Sequence, residues 1–221
     1  MPQLTRSAFV CAEPAEALDS LRREFDRRHV IRLRAFFHPD LLSFIKAGVR
    51  QATFFDRPHA DIAREECMDE NTTLAMLSLI ANDHSLFRCV ERVTGSDTIR
   101  IFNGRVYVMR SDAPHFDRWH GDTTDGRLIG MSVNLSDGVF DGGRFQLTHV
   151  GHDEPEIEIA NTGPGDAILF RIREDLRHRV SAVEGKVPRV AFAGWFQSAP
   201  DFLDVLKGDL GGTSPEEVAV Q

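Results

Sequence analysis

A mainly β chain with a helical N-terminal part is the fold class the sequence predicts, and three observations carry it. Apolar residues recur at helical spacing before residue 98. After it, short apolar runs alternate with Gly-containing turn signals. Those runs make seven or eight short strands, spaced as in a sandwich or barrel.

Taken in order, Leu18, Leu21 and Phe25 give an amphipathic helix within Glu13 to Arg28, and Val30 to Leu33 is a short apolar strand. Pro39-Asp40 opens a second helix reaching about Gln51, because proline is tolerated in a first turn. Asn71 and Asp83 are suited to N-cap two further helices, the second ending at Gly95. The region from Phe54 to Glu70 has no clean period and reads as a loop. Strands are expected over Thr98 to Met109, Leu128 to Leu135, Arg144 to Val150 and Glu156 to Ile159. Ala167 to Phe170, Arg179 to Val183 and Arg189 to Phe196 complete the set. The breaks fall at Asp125-Gly126, Gly142-Gly143, Gly163-Pro164-Gly165 and Glu184-Gly185. From Gly208 onward the composition is that of a flexible tail.

At 221 residues and 42% hydrophobic, the chain can bury one core, so a single domain over 1–207 is expected. A formal net charge of −8 disfavours nucleic acid as the partner, since that binding rests on clustered Lys and Arg. Cys11, Cys67 and Cys89 are odd in number and widely spaced, as reduced thiols would be. No stretch approaches a membrane span and the N-terminus has no secretory pattern, so a soluble, cytoplasmic protein without a membrane partner is expected. Nothing in the sequence fixes an oligomeric state.

The chemistry concentrates at His120-Gly121-Asp122 and at His178. Side chains at i and i+2 of an extended segment project to one side, so His120 and Asp122 can grip one ion. With a second, distant His they make a 2-His-1-carboxylate set, which holds non-haem Fe(II) by one face and leaves the other open. Two rivals exist. His115-Phe116-Asp117 is a second HxD five residues upstream, and His149-Val150-Gly151-His152 is an HxxH. Spacing alone leaves these rivals open, although the His120 motif abuts the Thr123–Arg127 turn before the Leu128 strand.

From about Arg105 to Gln197 the chain resembles the Fe(II)/2-oxoglutarate-dependent dioxygenases, nearest to their prolyl-4-hydroxylase-like branch. The residues that carry this are Trp119-His120-Gly121-Asp122, the Leu128 to Leu135 strand, Gly142-Gly143 and Gly165-Asp166-Ala167-Ile168-Leu169-Phe170. His178-Arg179-Val180 and Arg189 to Phe196 follow in the family's order. The resemblance implies a double-stranded β-helix (jelly roll, cupin-like) core over 98–198, backed by helical support over 1–97. It implies His120, Asp122 and His178 as metal ligands, with Fe(II), 2-oxoglutarate and O2 as cofactors and ascorbate as an accessory reductant. Arg189 would hold the C5 carboxylate of 2-oxoglutarate, flanked by Val190, Phe192 and Trp195, with Lys186 as its rival. Tyr107 and Asn134 are further cofactor-binding candidates, because Asn103, Arg105 and Tyr107 share one strand face and Ser132 and Asn134 another. Ala191 stands where relatives often carry a hydroxyl, and Asn134 where a prolyl-hydroxylase relative has Tyr. These departures leave the second contact to the cosubstrate carboxylate unassigned.

The activity implied is oxidative decarboxylation of 2-oxoglutarate to succinate and CO2, coupled to hydroxylation or a related C–H oxidation. A small-molecule substrate, amino-acid-derived or a natural-product intermediate, is preferred over a prolyl-type protein side chain. A cupin-like metal protein without 2-oxoglutarate turnover is the alternative from another class. The Phe54–Glu70 and Asp112–Asp117 segments are candidates for a substrate lid.

Overall fold

The computed structural model describes residues 2–57, 65–111, 118–124 and 126–210, the side chains of 209 and 210 excepted. The N-terminal part contains β1 (Gln3–Leu4), β2 (Phe9–Val10), α1 (Ala15–Arg28), β3 (Val30–Leu33) and α2 (Pro39–Gln51). It continues through β4 (Phe54–Arg57), β5 (Glu65–Met68), α3 (Thr72–Ala81) and α4 (His84–Thr94). Asn71 and Asp83 do cap α3 and α4, accepting from the backbone N–H of Leu74 and Ser85, and Gly95 closes α4 in a left-handed conformation.

The β part contains β6 (Ile101–Met109), β7 (Arg127–Asn134), β8 (Asp141–Gly142), β9 (Phe145–His149) and β10 (Ile157–Ile159). It closes with β11 (Ala167–Arg171), β12 (Leu176–Val180), β13 (Val183–Glu184), β14 (Arg189–Gln197) and a last helix, α5 (Phe202–Leu210). Seven strands form one large antiparallel sheet in the order β3-β11-β7-β14-β6-β5-β4. Facing it is the smaller sheet β10-β9-β12, with β13-β8 paired beside it. This is the jelly roll expected.

Strand periodicity explains how the two faces of the large sheet are used. Phe192 and Phe196 of β14, Phe102 and Val106 of β6, and Ala167 and Leu169 of β11 join the helices in the main core. Phe25 of α1, Leu41 and Ile45 of α2, Leu77 of α3 and Phe87 of α4 supply the other half. The intervening residues point the other way. Ile168 and Phe170 meet Phe145 and Leu147 of β9 and Leu176 of β12 in a second cluster. Between the sheets, at the end where Arg189, Ala193 and Trp195 project, a cavity remains.

Three expectations need correction. Phe54–Glu70 is not one loop: Phe54–Arg57 and Glu65–Met68 pair as an antiparallel edge hairpin, and β5 joins β6 through Glu66↔Val108 and Cys67↔Tyr107. An edge hairpin with one solvated face carries little apolar alternation, so its period is weak. His178 sits within β12 and not in the loop before a strand; Leu176, His178 and Val180 alternate inward while Arg177 and Arg179 face outward. The chain also stays helical through Leu210, so 208–210 end α5, and the rest of the expected tail lies outside the described residues.

The central strands approach so closely at one point that only glycine fits. Gly194 opposes Gly104 across the β14–β6 pair. A Cβ at Gly194 would lie 1.9 Å from the Asn103 carbonyl oxygen and 2.4 Å from the Gly104 Cα, both backbone atoms that cannot swing away. Gly194→Ala is therefore expected to destabilise the fold by about 3 kcal/mol or more, the upper end of overpacking costs. The midpoint of urea unfolding measures it, and an unchanged midpoint would contradict the close approach.

Candidate active site

His120 and His178 are brought together by the backbone. The two residues exchange both peptide hydrogen bonds, at 3.1 and 2.9 Å, in an isolated antiparallel bridge. Their rings stand 4.5 Å apart between centroids. His178 is buried, and its ring lies against Phe170 at 4.6 Å and Phe145 at 5.9 Å. Phe170 has room because Gly130 is opposite: a Cβ there would fall 2.0 Å from the Phe170 ring. The His120 Nδ1 lies 2.7 Å from the Arg118 carbonyl, which must accept, so Nδ1 carries a proton and Nε2 is the atom turned toward the cluster.

Asp122 completes the cluster. Its Oδ1 lies 4.0 Å from His120 Nε2 and its Oδ2 lies 3.3 Å from His178 Nε2. One ligand atom from each of the three residues falls within 4.8 Å of the others, the geometry of a single-ion site. Both carboxylate oxygens have outer partners. The Trp195 indole N–H donates to Oδ2 at 2.6 Å, and Arg127 reaches Oδ1 at 3.4 Å while stacking 3.9 Å over the Trp195 ring. Burial alone would raise the Asp122 carboxyl, but the His178 hydrogen bond, the charges of both histidines and the Trp195 N–H hold it well below the usual carboxylate range. For His178, burial lowers the imidazole and the hydrogen bond to Asp122 opposes it. A deprotonated carboxylate and neutral imidazoles are the donor set Fe(II) takes.

A cavity of about 70 Å³, open to solvent on one side, adjoins this cluster. At its far end sits Arg189, only 5% exposed. Its Nη1 donates to the Tyr107 hydroxyl at 2.6 Å and its Nη2 to Ser132 Oγ at 3.1 Å. Those partners are neutral, and no carboxylate balances the guanidinium among the described residues. A buried cation without a counter-charge is costly, and the site fits an anion that arrives from outside.

The sequence-derived candidates sort as follows. His120, Asp122, His178, Arg189, Tyr107 and Trp195 all line one cavity. Asn134 does not: its amide donates to the Gly163 carbonyl and its oxygen accepts from the Ser136 N–H, so it braces the turn after β7. Ser132, two residues earlier on the same face, points into the cavity instead. Val190 and Phe192 do not flank the Arg189 head, because they face the helices; Ala193 and Trp195 share its side. Lys186 borders a separate surface depression with Arg110. His149 and His152 both bond Glu156 on the β9–β10 surface, at 2.8 and 2.6 Å. His115 and Asp117 lie outside the described residues. Glu65, which lines the cavity, was missed because its strand read as loop.

Residues 103–197 match the family model of the 2OG-Fe(II) oxygenase superfamily. Those residues carry the oxygenase domain of that superfamily. An oxidoreductase of the 2OG-Fe(II) oxygenase family from Burkholderia pseudomallei superposes with a TM-score of 0.66 at 16% identity, covering 91% of this chain and 98% of that one. A Pseudomonas putida prolyl-4-hydroxylase gives a TM-score of 0.61 at 14% identity, covering 82% and 99%. The non-haem α-ketoglutarate-dependent epimerase SnoN from nogalamycin biosynthesis gives 0.61 at 15%, covering 84% and 85%. A search of curated proteins finds no match. The oxygenase is thus an enzyme of the prolyl-4-hydroxylase-like fold, working with Fe(II), 2-oxoglutarate and O2. Among its described residues no helix is long and apolar enough to cross a membrane.

Proposed function

We propose that this oxygenase holds Fe(II) on His120, Asp122 and His178 and uses 2-oxoglutarate to hydroxylate, or otherwise oxidise, a C–H bond of a small molecule. The bound metal, cosubstrate and O2 supply the oxidising power, and 2-oxoglutarate leaves as succinate and CO2. The residues of the chain do the rest. His120 Nε2 and His178 Nε2 would be the imidazole ligand atoms, while Trp195 and Arg127 fix the Asp122 carboxylate in direction. Arg189 takes the C5 carboxylate, and its Tyr107 and Ser132 partners supply the hydroxyl contacts that Ala191 cannot. Between Arg189 and the triad, Ala191 and Ala193 project from the same face of β14, and their methyl groups leave space for an extended diacid.

The observation that carries this reading is the buried Arg189 without a counter-ion, at the opposite end of one cavity from a two-His, one-carboxylate cluster. A metal protein without 2-oxoglutarate has no need of such a cation. Nucleic acid is disfavoured as the substrate by the net charge of −8. Three thiols, Cys11, Cys67 and Cys89, are free, consistent with a reducing, cytoplasmic setting. Succinate formation from 2-oxoglutarate is expected only with Fe(II) and O2 present, and the substrate is expected to gain one oxygen or lose two hydrogens by mass. Iron-independent consumption of 2-oxoglutarate, or none in the presence of iron, would refute the proposal.

A further inference from the structure

One wall of the cavity carries a second ion pair that the reading above leaves unused. Glu65 of β5 is 3% exposed and lines the cavity together with Arg105 of β6. The two are joined in parallel, Arg105 Nε to Oε2 at 3.0 Å and Nη2 to Oε1 at 2.8 Å. The guanidinium is held from the side as well, 5.4 Å from the Trp195 ring and 5.8 Å from the Tyr107 ring. Glu65 thus occupies one edge of the fork. Nη1 and the second N–H of Nη2 have no hydrogen-bond partner among the described residues.

Its place in the sheet gives this edge a meaning. Arg105 pairs in register with Ala193, and Tyr107 with Ala191, so Arg105 flanks the strip between the carboxylate anchor and the triad. It is a different cation from Arg189, on the neighbouring strand and nearer the metal-binding end. A buried ion pair contributes little net stability, because desolvating both charges offsets their attraction. An unspent planar donor pair at the wall of a cavity matches a carboxylate end-on.

We infer that Arg105 is the specificity-determining residue of this oxygenase and that the substrate carries a carboxylate, which Arg105 binds through its free edge while Glu65 fixes the guanidinium. The inference rests on the oxygenase reading and names the substrate class for the same cavity. A small carboxylic acid, such as an amino acid or an N-acylated or hydroxylated relative, matches the charge of that free edge.

The test titrates protein loaded with Fe(II) and 2-oxoglutarate, under argon, with a panel of such acids, each matched by its primary amide. Binding is read from the fluorescence of Trp195 and Trp119, and the panel is then scored in air for succinate formed above the substrate-free rate. Acids are expected to bind at concentrations at least about tenfold lower than their amides, the value of one charge-assisted contact. Arg105→Met should erase that difference, and Arg105→Lys should keep part of it. A purely structural pair would move the melting temperature without moving acid–amide discrimination. Acids and amides binding alike, no acid binding at all, or a raised 2-oxoglutarate KM in Arg105→Met with acid binding unchanged would each overturn the inference. Wild-type protein that forms no succinate would instead refute the oxygenase reading, which keeps the two failures apart.

Discussion

Asp122→Ala is expected to leave the protein folded and unable to retain Fe(II) or to turn over 2-oxoglutarate. The carboxylate is the only anionic member of the cluster, and its loss leaves two neutral imidazoles with no charge offset, so metal affinity should fall steeply. His120→Ala and His178→Ala should fail in the same way, although His178 also packs on Phe145 and Phe170 and its loss should cost some stability. The outer shell grades the effect. Partners that orient a ligand are worth roughly 10–100-fold in metal affinity, so Trp195→Phe, which removes the indole N–H and keeps the ring, should fall in that range. Loss of the ligand itself should exceed it. Iron content after dialysis measures both. Full occupancy in Asp122→Ala, with loss in Asp117→Ala, would transfer the site to the upstream HxD.

How much of this site could be read beforehand depends on whether each residue carried a local signature. His120 and Asp122 were legible as candidate ligands because both lie in one short motif before a strand. Arg189 was legible because an arginine opening an otherwise apolar strand must either leave the sheet or enter a cavity. Tyr107 was legible from alternation, which put it with Arg105 opposite Phe102 and Val106. Ser132 and Asn134 share a face, and the sequence has no means of saying which reaches the cavity. The answer came from the Gly163 carbonyl and the Ser136 N–H, tertiary partners that occupy Asn134 at the strand's end.

Glu65 was lost for a different reason. Its strand is four residues long, follows a segment of mixed polarity, and takes its β character from pairing with β6 some forty residues away. Propensity cannot report a strand whose stability is supplied by its neighbour. The same applies to β12, where arginines on the outer face hid the inward alternation of Leu176, His178 and Val180. In both cases the fold class survives the misreading, because the flanking turns and apolar runs already specify two sheets, while the residues at the cavity wall do not.

Arg189→Met should raise the KM for 2-oxoglutarate by a hundredfold or more while leaving iron content nearly intact. Truncating one partner of a buried ion pair costs about 3–5 kcal/mol, much of it the penalty of the unpaired charge left behind. Here the bound cosubstrate would be that charge, and Tyr107 and Ser132 offer only neutral hydrogen bonds in its place. Arg189→Lys should be intermediate, since an ammonium keeps the charge but not the parallel fork. The ligand-free protein supplies an opposite, independent readout. Without 2-oxoglutarate the wild-type Arg189 is a buried cation with neutral partners, so Arg189→Met should melt at the same temperature or higher than wild type. Adding 2-oxoglutarate with metal should then raise the wild-type melting temperature, because it binds only the folded state, and should fail to raise that of the variant at equal concentration. An unchanged KM in Arg189→Met, or an equal defect in Lys186→Ala, would move the carboxylate anchor elsewhere. A variant that loses thermal stability with and without cosubstrate would make Arg189 a structural cation, not a binding one.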